Sequence, residues 1–267
     1  MTISLYLFGG GQMIEAIIRA SLKNKAIKKA DTFITDISEQ RVKYLKERYG
    51  VNAETSINDF LKDSAIVLLG IRPQDDWSGL IKTIAERNPS TQVISIIAGV
   101  TIDQLQKAAG KELAITRIIP NTLTDTGFGY SGATLSRKSD KIIIDPFLSS
   151  FGKVDYIPEE QIDIYTGYGV AGPNYVYNFF IALTNAGVLG GLSRKQANAV
   201  ALENLQGAAK MLEITGKHPY ELLDINNSAG GVGIAAQHEL DASDFAAGVQ
   251  NAVLAAIQRT TDLGKDD

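Results

Sequence analysis

Apolar residues follow two rhythms along this chain, and the change between them comes once. Up to about residue 157, short apolar runs alternate with longer stretches whose apolar positions recur every three or four residues. The runs at 3–8, 32–36, 65–70, 93–97 and 114–119 have the length and β-branched content of strands. Between them, 13–25, 39–49, 75–87 and 102–109 carry helical spacing. Punctuation agrees with the spacing: Ser38 and Thr101 are N-caps, and Gly50 is a helix stop. Runs that are apolar at every position, such as Ile66-Val67-Leu68-Leu69, suit strands buried on both faces. The pattern predicts an α/β domain over residues 1–157, with a parallel sheet flanked by helices.

Beyond that point the strand signals stop. Pro158-Glu159-Glu160 reads as a helix start, with proline early and acids in the first turn. The stretch 175–186 is apolar nearly all round, through Val176, Phe179, Phe180, Ile181 and Leu183, which predicts a helix buried in a core or between subunits. Stretches 193–215 and 242–263 are alanine-rich and amphipathic. The expectation is a second, all-α domain over 158–267, with Lys265-Asp266-Asp267 frayed at its end.

Composition narrows the chemistry. A chain of 267 residues with 45% hydrophobic and 21% charged positions is long enough for two globular domains. The net charge of −4 gives no electrostatic case for nucleic acid or an anionic membrane. No uncharged apolar stretch approaches the ~20 residues of a membrane span, and no secretory leader is visible, so the expected location is cytoplasmic. With no cysteine, thiolate catalysis, disulfides and cysteine–zinc sites are excluded. His218 and His238 stand apart without ligand spacing, so no metal site is expected.

The candidate chemistry begins at Gly9-Gly10-Gly11-Gln12-Met13, a glycine cluster between the first strand and the first helix. Strand, tight turn and helix open a dinucleotide-binding unit, because glycines admit a pyrophosphate and the helix N-terminus offers it free N–H groups. The third glycine of that fingerprint falls on Ile14. Asp36 ends the second strand 25 residues after Gly11, near the ~20 expected of an acid that meets the adenosine ribose. A carboxylate there accepts from ribose hydroxyls and repels a 2′-phosphate, which favours NAD(H) over NADP(H). The simpler alternative is that Asp36 only starts a turn or helps Ser38 cap the next helix. Ile71-Arg72-Pro73 and Pro120-Asn121 follow other strands at the end where open sheets bind ligands; Asn121 either orients a ligand or makes the turn. The loop 228–233, with Gly230, Gly231 and Gly233, either forms a backbone nest for a carboxylate or only turns between helices.

Several collinear stretches resemble the pyrroline-5-carboxylate reductase family. They are 8–13, Ile71-Arg72-Pro73-Gln74, 94–100, Arg117-Ile118-Ile119-Pro120-Asn121-Thr122, Ala171-Gly172-Pro173-Asn174-Tyr175, Gly190-Gly191-Leu192-Ser193-Arg194, 207–212, His218-Pro219 and Ser228-Ala229-Gly230-Gly231. The resemblance implies a Rossmann domain, a helical domain that pairs subunits into a homodimer or larger assembly, and hydride transfer from a nicotinamide to the C=N carbon of a cyclic imine. It places the cofactor against Gly9, Gly10, Gly11, Gln12, Met13, Asp36, Ile71, Arg72, Pro73, Ala98 and Asn121. It places the substrate against Asn121, Asn174, Ser228, Gly230, Gly231, Val232 and Gly233, with Thr166 and Ser228 as the catalytic candidates.

The departures are as specific. Ile14 stands where the family has glycine or alanine, which predicts either a helix pushed off the sheet or a side chain beside the pyrophosphate. Arg72 replaces a lysine. Val170 replaces a glycine and Ala171 a serine, and Val232 and Gly233 replace two threonines, one of which meets the imine nitrogen in the family. These changes leave open a reductase of a different imine, or a non-catalytic or regulatory paralogue that keeps the fold.

Overall fold

The computed structural model describes residues 3–263, and the terminal Lys265-Asp266-Asp267 lies outside them. Among the described residues eight strands form one sheet: β1 (Ile3–Phe8), β2 (Ile27–Thr35), β3 (Asn52–Glu54), β4 (Ile66–Leu69), β5 (Gln92–Ser95), β6 (Ala114–Pro120), β7 (Tyr130–Leu135) and β8 (Lys153–Tyr156). Their order is β3-β2-β1-β4-β5-β6-β7-β8. The chain therefore leaves β1 toward one edge and resumes at β4 on its other side. A crevice opens where the winding reverses, beyond the C-terminal ends of β1 and β4.

Helices α1 (Gln12–Lys23), α2 (Glu39–Tyr49), α3 (Trp77–Arg87), α4 (Ile102–Ala109) and α5 (Lys141–Leu148) cover the sheet. Strand β1 shows why both faces must be covered. Leu5 and Leu7 enter one core with Ile17, Ile34, Leu68 and Phe147. Tyr6 and Phe8 enter the other with Val67, Ile81, Ile84 and Leu105. Burying such side chains contributes ~1.5–3 kcal/mol each before entropy is counted. The caps fall where the sequence puts them: Ser38 accepts from Arg41 N, and Thr101 forms a capping box with Gln104.

Two strands and one helix were not legible in the pattern. β3 is Asn-Ala-Glu, β7 has no apolar run, and α5 carries Pro146. The sheet also departs from uniform parallel pairing, because β7 runs antiparallel to β6 while every other pair is parallel. β2 starts at Ile27, well ahead of the β-branched segment that announced it.

After β8 come α6 (Ile162–Tyr165), a π-helical turn over Thr166–Val170, then α7 (Gly172–Leu189), α8 (Arg194–Thr215), α9 (Pro219–Asn226), α10 (Val232–Asp241) and α11 (Phe245–Leu263). Contacts divide the chain into a unit of residues up to 171 together with those from 255 on, and a unit of 172–254. In the first unit the end of α11 presses on the π turn, since a Cβ on Gly167 would lie 2.5 Å from Ile257 N. In the second, α7 and α8 pack closely where Gly187 faces Ala197. Helix α7 buries only Pro173 and Thr184. Val176 and Ile181 stay more than half exposed. Its all-round apolar character is therefore not that of a core helix of this chain, which leaves the between-subunit reading.

Candidate active site

The glycine turn is built by three strand ends. Gly9 has φ +87°, a left-handed value that costs an L side chain about 1–2 kcal/mol. A Cβ there would also stand 2.6 Å from Gly70 O. Gly9 N donates to Thr35 O at 2.8 Å and Gly70 N to Phe8 O at 2.8 Å, so the crossing from β1 to α1 is tied to β2 and β4 together. Asp36 ties the turn sideways. Its Oδ2 accepts from Gly10 N at 2.7 Å and its Oδ1 from Ser38 N at 2.8 Å. The turn-starting role of Asp36 is thus realised, and its carboxylate remains half-exposed beside Gly10. Gly11 caps α1 without a side chain, and nothing lies within 4 Å of where its Cβ would be. The N–H groups of the first helical turn, Gln12 and Met13 among them, have no partner within a helix by construction. A diphosphate fits such a cradle: open space, free N–H groups, the positive end of a helix and an acid beyond.

Ile14 neither lifts α1 off the sheet nor enters the crevice. It is 1% exposed and packs in the core beside β4. The space comes from Gly70, whose missing Cβ would lie 2.3 Å from Ile14 Cδ1. The bulk expected at the third glycine position is thus matched by an absence of bulk just past the end of β4. Gly70→Ala is expected to cost about 1–3 kcal/mol through overpacking. In combination with Ile14→Ala that cost should vanish, so urea unfolding of the four-member cycle should give a coupling of similar size; simple additivity would contradict the packing account.

Other predicted cofactor positions line the same strand ends. Ile71 packs on the core at the end of β4. Arg72 folds back on Asp75, with Nη2 2.8 Å from Oδ1 and the backbone N 2.9 Å from Oδ2, and stays largely exposed. Hydrogen bonding to Arg72 holds the Asp75 carboxyl below its usual range. Pro73 is half-buried beside it, and Ala98 is half-buried beyond β5. Asn121, 4% exposed after β6, accepts from Leu123 N at 3.1 Å and Tyr130 N at 3.4 Å, and its Nδ2 lies 3.5 Å from Gly169 O. Its turn role is therefore real, and it also reaches the π turn. Thr166 begins that turn and donates Oγ1 to Ile162 O at 2.7 Å.

In the helical unit, Gly231 N donates to Ser228 O at 3.0 Å, Gly230 has φ +65°, and Gly231 caps α10. Val232 is 89% exposed at the first position of that helix. A Cβ on Gly233 would lie 2.5 Å from Asn226 O, so this loop conformation excludes a threonine at that position. Asn174 is exposed in the first turn of α7.

Three charged residues escaped the reading of the sequence. Glu15, 6% exposed on α1, accepts from Tyr49 Oη at 2.6 Å and Tyr44 Oη at 3.0 Å, and pairs with Arg41. Arg41 also donates Nε to Gly10 O. Arg117, 3% exposed in β6, pairs with Glu159 at 3.2 Å beside a cavity of about 400 Å³ lined by Gly99, Thr101 and Asp163. The available signal was a charge inside an apolar pattern, Arg117 within a buried strand and Glu15 between Ile14 and Ala16. Among the described residues no cluster of three or more His, Asp or Glu is placed to hold a metal, and no helix is long and apolar enough to cross a membrane.

The chain is similar to known proteins. Residues 159–263 match the family model described as pyrroline-5-carboxylate reductase dimerisation, and residues 4–99 match one described as NADP oxidoreductase coenzyme F420-dependent. The chain is 31% identical over 268 residues to the pyrroline-5-carboxylate reductase of Synechocystis, covering 99% of this chain and 100% of the relative. It is 30% identical over 260 residues to that of Arabidopsis thaliana, covering 96% and 94%. The crystal structure of Plasmodium falciparum pyrroline carboxylate reductase with NADP bound is similar with a TM-score of 0.87 at 27% identity, over 98% of each chain. Fold, glycine turn and matched domains define an oxidoreductase of the NAD(P)-binding Rossmann class with a helical dimerisation domain. Its likeness to relatives over nearly its whole length goes further: the chain belongs to the pyrroline-5-carboxylate reductase family.

Proposed function

We propose that this chain reduces pyrroline-5-carboxylate to proline, takes NADH in preference to NADPH, and works as a homodimer or larger homo-oligomer. The observation that carries the cofactor reading is the Gly9–Gly11 turn with Asp36 bonded to Gly10 N at its edge. In this reading the N–H groups of Gly11, Gln12 and Met13 hold the diphosphate and Asp36 accepts from the ribose. Ile71, Arg72, Pro73, Ala98 and Asn121 line the path toward the nicotinamide. A reduced nicotinamide supplies the hydride when bound.

The chain's own task is then orientation and exclusion of water. The backbone of Ser228, Gly230, Gly231, Val232 and Gly233 receives the substrate carboxylate, with Asn174 of the same unit as a further polar partner; in the first unit Thr166 is kept as a catalytic candidate. Neither Val232 nor Gly233 can donate a proton, so the imine nitrogen arrives already protonated, and Ser228 supplies the one hydroxyl of the loop. Hydride addition to a protonated imine needs little beyond positioning and desolvation, so loss of the threonines is compatible with turnover. The functional boundary we propose, at 157/158, is supported by a dimerisation match that starts at residue 159. The oligomer is supported by the exposed apolar side chains of α7.

The test is NADH oxidation with pyrroline-5-carboxylate, with proline quantified. We expect one proline per NADH. Binding of NADH without turnover would point to another imine, and no affinity for either reduced nicotinamide would favour a non-catalytic paralogue.

A further inference from the structure

We propose that Glu15 is a cofactor-specificity residue: it holds Arg41 down on the glycine turn, where the guanidinium cannot serve a 2′-phosphate. The proposal rests on the NADH preference argued above and gives it a physical cause in this chain.

A 2′-phosphate is accommodated in Rossmann folds by an arginine near the end of the second strand. Here the residue after Asp36 is Ile37, 92% exposed and without charge. Arg41, in the first turn of α2, is the cation that reaches the glycine turn. Its Nε donates to Gly10 O, its Nη2 lies 3.5 Å from Gly11 O, and the same Nη2 pairs with Glu15 Oε2. The Nε–Nη2 edge is the fork that would grip two phosphate oxygens side by side. That edge is spent on two carbonyls and a carboxylate. Tyr44 packs against the other side, its ring centroid 5.1 Å from Arg41 Cζ.

The anchor itself cannot move with the arginine. Glu15 Oε1 accepts from Tyr49 Oη and Tyr44 Oη, and Arg19 Nη1 lies 3.5 Å away. Burial pushes the Glu15 carboxyl up, but hydrogen bonds from Tyr49, Arg41 and Tyr44 outweigh it, and the group titrates below its usual range. It is therefore a carboxylate at neutral pH. Held in this way, Arg41 also organises the loop. A trans peptide points its C=O and N–H in opposite directions. Drawing the carbonyls of Gly10 and Gly11 toward Arg41 turns the N–H groups of Gly11 and Gln12 toward the open side. The device thus favours the diphosphate common to both cofactors and withholds a cation from the extra phosphate of one.

Glu15→Gln isolates the charge. The amide oxygen still accepts from both tyrosines, while its NH2 faces the guanidinium donor to donor and releases Arg41. Dissociation constants for NADH and NADPH are read from nicotinamide fluorescence on the full-length protein. We expect NADPH to bind about tenfold tighter in Glu15→Gln, with NADH changed less than about threefold, and the gain to disappear in Glu15→Gln/Arg41→Gln. In Arg41→Gln alone, which does not depend on how Glu15→Gln folds, the two cofactors should weaken together. A selective tenfold loss of NADPH in Arg41→Gln, or an unchanged NADPH constant in folded Glu15→Gln, overturns the role of Glu15 and leaves the NADH preference standing. A wild-type protein that binds NADPH the more tightly overturns the NADH preference itself.

Discussion

Replacing Glu159 with alanine is expected to lower the unfolding free energy by about 3 kcal/mol. Breaking a buried ion pair from one side costs ~3–5 kcal/mol because the other charge is left unpaired in a poor solvent. Arg117 is the buried side, 3% exposed, whereas the Glu159 side chain is 28% exposed. Removing the acid is therefore the damaging direction. The value falls at the low end because Asp163 remains 3.9 Å from Nη2. Arg117 has little else to turn to, since its Nε has no partner among the described residues. Glu159 Oε1 also accepts from Ile102 N at 2.8 Å, the first residue of α4, where a helix N-terminus favours negative charge. Glu159→Gln keeps an acceptor for both donors and should lose only about 1–2 kcal/mol. Urea unfolding of the two variants decides the matter; a loss under about 1 kcal/mol for the alanine variant would mean the guanidinium finds another partner. The pair also bears on the site, because the short turn of Glu159–Gln161 leads into α6, which runs into the π turn of Thr166 and Gly169.

How far the sequence carried can be judged from particular residues. Thr101 and Ser38 were legible as caps because a cap is a local device, with side chain and recipient N–H within three residues of each other. β4 was legible because a strand buried on both faces favours an unbroken apolar run, here Ile66 to Leu69. β7 was not: Tyr-Ser-Gly-Ala-Thr-Leu is held by its neighbours β6 and β8 rather than by its own pattern. Ile14 shows the limit at the site. Its identity reads as an obstruction, and only the glycine at position 70, just past the end of β4, turns it into a fit. Glu15 and Arg41 lie 26 residues apart, and no spacing rule connects them. The place of Asp36 beside the glycine turn was legible because the fold fixes its distance from Gly10. The loop 228–233 stands between these cases: its glycines announced a tight turn, but the closeness of Gly233 to Asn226 O belongs to the folded chain.

Gly9→Ala is expected to have the largest effect on the cofactor. Two penalties add at this residue. The left-handed backbone costs about 1–2 kcal/mol for an L side chain, and the new Cβ, 2.6 Å from Gly70 O and 3.2 Å from Ile71 Cγ2, costs about 1–3 kcal/mol more. Relief by sliding is blocked. Gly70 is fixed by its hydrogen bond to Phe8 O, and Gly9 by its bond to Thr35 O. The movement that remains open is for the turn to shift away from β4, taking Gly10 and Gly11 with it. That shift pulls Gly10 N from Asp36 and misaims the first N–H groups of α1. Weakening one or two charge-assisted hydrogen bonds, worth about 1.5–3 kcal/mol each, is enough to cost about 100-fold in affinity. Affinity for NADH should therefore fall by about two orders of magnitude, and thermal stability should drop with it. Gly11→Ala is the internal control, because nothing lies within 4 Å of its Cβ position and its φ of −63° suits any residue. It should leave stability nearly unchanged, and its effect on NADH measures the space needed for the diphosphate itself. Equal effects of the two substitutions on NADH with equal stabilities would show that the turn tolerates a side chain at Gly9, against the geometry of β1 and β4.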